Sequence, residues 1–194
     1  YLKNFEFIPD INILTNIVSQ LLYEGKVIGW FRGKAEFGPR ALGGRSILCD
    51  PRGENTKDKI NEKIKFREIF RPFAPVVIAE KAEKYFDIKH SINSFSPESY
   101  MLAIAKVKEK YWSIIPAVTH CDNTARVQTL FEMQNEVLYR LLEKFENLSK
   151  IPILLNTSFN LRGYPIVGKP IDAIETFLYS DIDILVLENY IIKK

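Results

Sequence analysis

The sequence predicts an α/β domain with a twisted mixed β-sheet flanked by helices. Three observations carry this expectation. Residues 10–26 and 134–150 repeat apolar side chains at helical spacing. Around them run short apolar segments of strand length, among them VIGWF (27–31), VVIAE (76–80) and ILLNTS (153–158). No linker, repeat or low-complexity tract divides the 194 residues, so one domain over 1–194 is expected.

The elements follow in order. The first helix has apolar residues at 11, 14, 17, 18, 21 and 22, with Asp10 to cap it and Gly25 to stop it. VIGWF forms a strand and opens into the glycine-rich stretch EFGPRALGGRS (36–46), which places Arg40 and Arg45 on a pliable backbone. A second strand is expected at 46–50. A lysine-rich surface helix follows at 54–64, with Lys57, Lys59 and Lys63 on its solvated face. Pro72 and Pro75 bar a regular helix from the first half of 66–80, and VVIAE then reads as a buried strand. A short helix at 81–87, a loop at 89–99 and strands at 100–107 and 124–130 come next. The helix at 134–150 is the clearest, with apolar residues at 137, 138, 141, 142, 145 and 148. Residues 151–160 form a buried strand ending in a polar turn. A helix at 172–179 begins after Pro170, and one or two strands close the chain at 183–192. Trp30 and the phenylalanines are assigned to the core.

Composition narrows the function classes. The chain is 46% hydrophobic and 26% charged, an ordinary globular balance. No apolar run approaches the ~18 residues of a membrane helix, and no secretory signal opens the chain. No membrane partner and a cytoplasmic location are the expectation. The start YLKNFEFIPD lacks methionine, and the two methionines are Met101 and Met133, so a fragment of a longer polypeptide is expected. Cys49 and Cys121 read as small buried hydrophobes, and His90 and His120 are too few and too distant for a metal site. No metal site is expected in this domain. Net charge is +3, yet residues 26–71 hold twelve Lys/Arg against six Asp/Glu, including six of the nine arginines. That concentration suggests an anionic partner.

Four polar segments adjoin expected strands: 36–46, IKFREIFRPF (64–73), HCDNTARVQT (120–129) and LLNTSFNLRG (154–163). Glycine lets backbone N–H groups approach an anion, and guanidinium grips phosphate or carboxylate with two parallel hydrogen bonds. Arg71 is held between Phe70 and Pro72, and Lys65 supplies a point charge six residues earlier. Arg126 lies in an otherwise apolar strand, where a charge is costly without a partner. Asn156, Thr157 and Ser158 offer amide and hydroxyl groups. Asp122 and Thr124 fit an Asx turn. These residues imply an oxyanion or phosphate site without naming a reaction.

The stretches GWFRGKAEFGPRALGGRSILCDPR (29–52), IKFREIFRPFAPVV (64–77), DNTARVQTL (122–130) and PILLNTSFNLRGYPIV (152–167) occur in an order that resembles the C-terminal domain of NodU/CmcH-type O-carbamoyltransferases. The likeness runs from about residue 10 to 192. It implies a YrdC-like fold that binds carbamoyl phosphate and ATP, with Mg2+, and forms carbamoyl adenylate. It implies further that an N-terminal ATPase-like domain of the same polypeptide carries iron or another metal and passes the carbamoyl group to an acceptor hydroxyl. The family's contacts fall on Arg40, Lys65, Arg71 and Arg126 as catalytic cations and on Asn156 and Ser158 for the nucleotide and carbamoyl phosphate. Two polyanions repel, so fixed cations must offset that repulsion while positioning does the remaining work.

Two positions depart from the family pattern. Gly44 stands where asparagine is usual, which is expected to loosen the turn. Tyr164 replaces an acidic residue, which removes a carboxylate near the site. Two other readings stay open: an RNA-binding module, against which the low net charge and the lack of an RRM or KH signature speak, and a threonylcarbamoyl-adenylate synthase. A homodimer is compatible with the sequence.

Overall fold

Asp10 caps the first helix as its sequence position requires: its Oδ1 accepts from the backbone N–H of Asn12 (2.7 Å) and Ile13 (3.2 Å). Helix α1 spans Ile11–Tyr23 and ends at Gly25, whose φ of +79° suits glycine. A computed structural model describes residues 4–53, 56–63, 73–88 and 92–194. Lys65, Arg71 and His90 lie outside the described residues, as do the side chains of Lys59 and Lys63.

Strand β1 (Asn4–Phe7) precedes α1 and was not expected from the sequence, although NFEF alternates polar and apolar residues. Strands β2 (Ile28–Phe31) and β3 (Arg45–Cys49) flank the glycine-rich stretch. Then come α2 (Thr56–Lys63), β4 (Ala74–Ile78), α3 (Ala82–Tyr85), β5 (Phe86–Asp87), β6 (Ala105–Val107), β7 (Thr124–Ala125) and β8 (Gln128–Leu130). The chain closes with α4 (Glu136–Ser149), β9 (Ile153–Ser158), α5 (Pro170–Leu178), β10 (Ile184–Leu187) and β11 (Tyr190–Lys193).

Eight strands form one mixed sheet in the order β1-β11-β10-β2-β3-β9-β4-β8. The pairs β10–β2 and β4–β8 are parallel, and the remaining pairs are antiparallel. Strands β2, β3 and β4 are buried along their whole length, as expected for a sheet covered by helices. Helix α4 packs on β4 and β9 and against α1, while α5 packs on β10 and β2. Leu138, Leu141, Leu142 and Phe145 form the buried face of α4, matching its apolar spacing.

Two expected strands are corrected. Residues 100–107 form a strand only over Ala105–Val107. A 3-10 turn over Pro97–Tyr100 ends at Met101 with φ +56°, and this left-handed residue interrupts the extended backbone. Residues 124–130 are two strands in different sheets: β7 joins β5 and β6 in a small sheet, whereas β8 edges the large one. The chain changes sheets at Arg126 and Val127, so the arginine escapes a fully buried ladder position. The expected helix over 81–87 is confined to Ala82–Tyr85, preceded by a 3-10 turn and followed by β5.

Trp30 and Phe31, Phe73, Phe86, Phe145, Phe159 and Phe177 are core residues, but Phe5, Phe7, Phe37 and Phe95 are exposed. Cys49 is buried as expected; Cys121 is exposed, in the turn before β7, and so is not a core hydrophobe. Among the described residues no helix is long and apolar enough to cross a membrane.

Candidate functional site

The glycine-rich stretch separates its two arginines. Arg45 begins β3 and is buried; its guanidinium lies 3.5 Å from the centre of the Phe31 ring and donates to the carbonyls of Arg32 (3.2 Å) and Gly44 (2.9 Å). It is a structural residue that ties the loop ends together. Arg40 is exposed and lines a cavity of about 100 Å³ together with Ala41, Phe73, Arg126, Asn156 and Ser158.

Glu36 shapes the loop between them. Its Oε1 accepts from the backbone N–H of Leu42 (2.9 Å) and of Gly44. Gly44 is required by the close passage of this loop: a Cβ there would stand 2.8 Å from the Lys34 carbonyl oxygen and 3.0 Å from Glu36 Oε1. The turn is therefore tight at Gly44, contrary to the loosening expected from the loss of asparagine. Tyr164 is exposed and borders a separate cavity with Asp172 and Glu175 rather than the one that Arg40 lines.

Sheet register brings the remaining groups together. Asn156 on β9 pairs with Ala74 on β4, and Gln128 on β8 pairs with Val76. Ala74 and Val76 are two apart and share a sheet face, so Asn156 and Gln128 meet on that face across β4. Ser158 lies two residues beyond Asn156 on the same face. Asn156 Nδ2 donates to the Ala41 carbonyl (3.1 Å) and to Gln128 Oε1 (2.7 Å), and Gln128 Nε2 donates to the Leu42 carbonyl (2.8 Å). Sequence reasoning missed Gln128. The available signal was a glutamine inside the apolar run VQTL, which must find a partner when buried.

Arg126 reaches the cavity from the crossing between β7 and β8. Burial, and then the positive charge of Arg40, lower its pKa. Its Nε is shut off from solvent and has no partner among the described residues, and the same holds for Asn156 Oδ1. Both residues line the small cavity, although these two atoms are themselves closed off from it. No carboxylate lines it among the described residues. This lining suits an anion and does not suit a magnesium ion, which takes oxygen ligands with negative charge. Arg40, Arg126, Asn156 and Ser158 converge as the sequence suggested; Lys65 and Arg71 lie outside the described residues.

A second cavity of about 620 Å³ is lined by Arg32, Lys34, Glu36, Gln128 and Asn135 among others. Its charges are mixed, so it lacks the cationic bias of the smaller one. Among the described residues no cluster of three or more His, Cys, Asp or Glu side chains could hold a metal.

Comparison with known proteins gives these groups a context. Residues 19–194 match the family described as Carbamoyltransferase C-terminus. The chain is 45% identical to Nodulation protein NolNO of Sinorhizobium fredii over 176 residues, which is 91% of this chain and 25% of that protein. It spans about a quarter to a third of the length of the curated relatives it matches. Among solved structures it resembles full-length HypF in its phosphate- and nucleotide-bound form (TM-score 0.62, 19% identity, 91% of this chain and 25% of that one). It also resembles P. abyssi Sua5 complexed with L-threonine (TM-score 0.62, 17% identity, 92% and 47%). Those likenesses show a YrdC-like fold. On the match over residues 19–194, the chain belongs to the carbamoyltransferase C-terminus family.

Proposed function

We propose that this domain binds carbamoyl phosphate and ATP and forms carbamoyl adenylate, which an ATPase-like domain of the whole protein transfers to an acceptor hydroxyl. The observation that carries this reading is the pairing of Arg40 and Arg126 beside Asn156 in a cavity that no carboxylate lines among the described residues. Two adjacent cations disfavour each other unless an anion sits between them.

Size supports assigning the cavity to the smaller substrate. The cavity of about 100 Å³ is the smaller of the two polar cavities and carries the two cations, which suits a carbamoyl or phosphoryl group. In the proposed reaction water takes the phosphoryl group and frees carbamate. A carbamate oxygen then attacks the α-phosphorus of ATP, and pyrophosphate leaves. Arg40 and Arg126 offset the repulsion between the approaching anions, with Lys65 and Arg71 assigned to the same task. Ser158 orients the phosphate. Magnesium belongs to the nucleotide phosphates in this reading, because no carboxylate lines the cavity among the described residues.

Pyrophosphate release measured with ATP and carbamoyl phosphate, and separately with ATP, threonine and bicarbonate, tests the reading. Release with the first set only is expected, and Arg126→Ala is expected to lower it about 10²- to 10³-fold. Release with the second set alone, or no binding of carbamoyl phosphate in calorimetry, overturns the proposal.

A further inference from the structure

We infer that strand β1, with its exposed Phe5 and Phe7, is the surface on which the preceding domain of the whole polypeptide packs. The inference does not depend on how the small cavity is read.

The large sheet protects one of its edges and leaves the other open. Strand β8 forms the first edge, and its three residues are buried. The 3-10 turn Pro97–Tyr100 packs beside it, with Ser99 Oγ 3.1 Å from Thr129 Oγ1. Strand β1 forms the second edge, and all four of its residues are exposed. Among the described residues nothing pairs with its outer side. An apolar edge strand left in this state invites another body to cover it, and NFEF holds neither the lysine nor the proline that commonly deters this.

This strand is not a loose end. It pairs with β11 from Asn4 to Phe7. Beyond it the Ile8 N–H donates to the Asn189 carbonyl (2.8 Å), and Asn189 Nδ2 donates to the carbonyls of Ile8 (2.9 Å) and Pro9 (3.2 Å). The register puts Phe5 opposite Ile192 and Phe7 opposite Tyr190, so both phenylalanines stand on one face of the sheet. Their rings lie 6.4 and 5.0 Å from that of Tyr190. Yet Phe5 is 64% and Phe7 56% exposed, and Tyr190 is exposed beside them. A firmly held strand thus presents a small aromatic surface to solvent, the composition found at the core of interfaces.

Length and position identify the occupant. The chain matches a family described as a C-terminus and spans about a quarter to a third of its curated relatives. Most of such a protein lies ahead of the matched part and joins this domain at β1, its first strand. A domain tethered at that junction meets the aromatic surface at a high effective concentration, which a second copy of the chain lacks. Contacts between domains of one chain are commonly of this kind, with a modest apolar centre.

Photo-crosslinking in the full-length protein tests the inference. p-Benzoylphenylalanine is placed at Phe7 or, as the control, at Phe95, which is exposed in the turn before Pro97. Irradiation is expected to join position 7, but not position 95, to a peptide of the preceding domain in the same chain. No crosslink from position 7, a crosslink to a second copy, or equal crosslinking from both positions overturns the inference. The double variant Phe5→Ser, Phe7→Ser gives a second measurement. In the 194-residue chain its thermal midpoint is expected to stay within about 3 °C of the parent, because both rings are already in water. In the full-length protein trypsin is expected to separate the two parts about 5- to 10-fold faster, because the docked state opens more often. Unchanged cleavage, or a large fall of the midpoint in the 194-residue chain, shows that the rings serve this domain alone and overturns the inference.

Discussion

Arg126 occupies a position that suits a ligand better than it suits the fold. Its guanidinium is half-buried, its Nε has no partner among the described residues, and the charge of Arg40 pushes its pKa down after burial has already done so. Removing such a charge should relieve the folded state. In phosphate-free buffer Arg126→Ala is expected to leave the thermal midpoint unchanged or raised, although most truncations of buried groups lower it. Added carbamoyl phosphate should reverse the order, because only the parent gains stability from binding. Differential scanning fluorimetry with and without ligand reads both outcomes, and a large loss of stability without ligand would show that Arg126 is structural.

At the scale of elements, two carboxylates hold the loop from Arg32 to Gly44: Glu188 Oε1 accepts from the Gly33 N–H (2.8 Å), and Glu36 holds the far end. Glu36 accepts from two backbone N–H groups eight and six residues further on, Gly44 and Leu42. Glu36→Ala should therefore leave both donors unpaired and speed proteolytic cleavage within 36–44, whereas Glu36→Gln keeps an acceptor oxygen and should restore much of the protection. Equal cleavage in all three proteins would show that the loop is held by other contacts. This loop also illustrates what could be read from the residues. Its candidate role was proposed from the residues, since glycine and arginine at a strand end suggest anion recognition. The division of labour was not, because only the folded register shows that Arg45 turns inward onto Phe31 while Arg40 lines the cavity. Likewise α1 and α4 were evident from their apolar spacing. The split of 124–130 between two sheets depends on tertiary pairing that no local pattern encodes. Gln128 needed the same register before its bond to Asn156 could be seen.

For the whole molecule, stability should respond to pH through His120. Burial lowers its pKa below the usual 6.5, outweighing the attraction of Asp122 and the hydrogen bond with the Phe73 backbone, while Arg126 and Lys57 lower it further. Thr124 gives its hydroxyl hydrogen to Asp122, so its oxygen accepts from His120 Nδ1 at 3.2 Å. The folded protein thus holds the imidazole neutral at a pH where the unfolded chain would protonate it. The contribution is present above about pH 6.5 and is lost as the pH falls through the lower folded value. Urea unfolding at pH 7.5 and 5.5 should show a loss of stability on acidification that is smaller in His120→Gln. Equal losses in both proteins would assign the effect to other groups. Asp122 and Asp172, whose pKa values are lowered mainly by hydrogen bonds to their carboxylates, act only below about pH 4 and do not overlap this window.

The two residues that carry the chain from the small sheet to the edge of the large one include the half-buried cation of the cavity. A ligand gripped by Arg126 on one side and by Asn156 on the other would moor the minor sheet to the central strands. Substrate capture and the mutual rigidity of the two sheets would then be a single mechanical event.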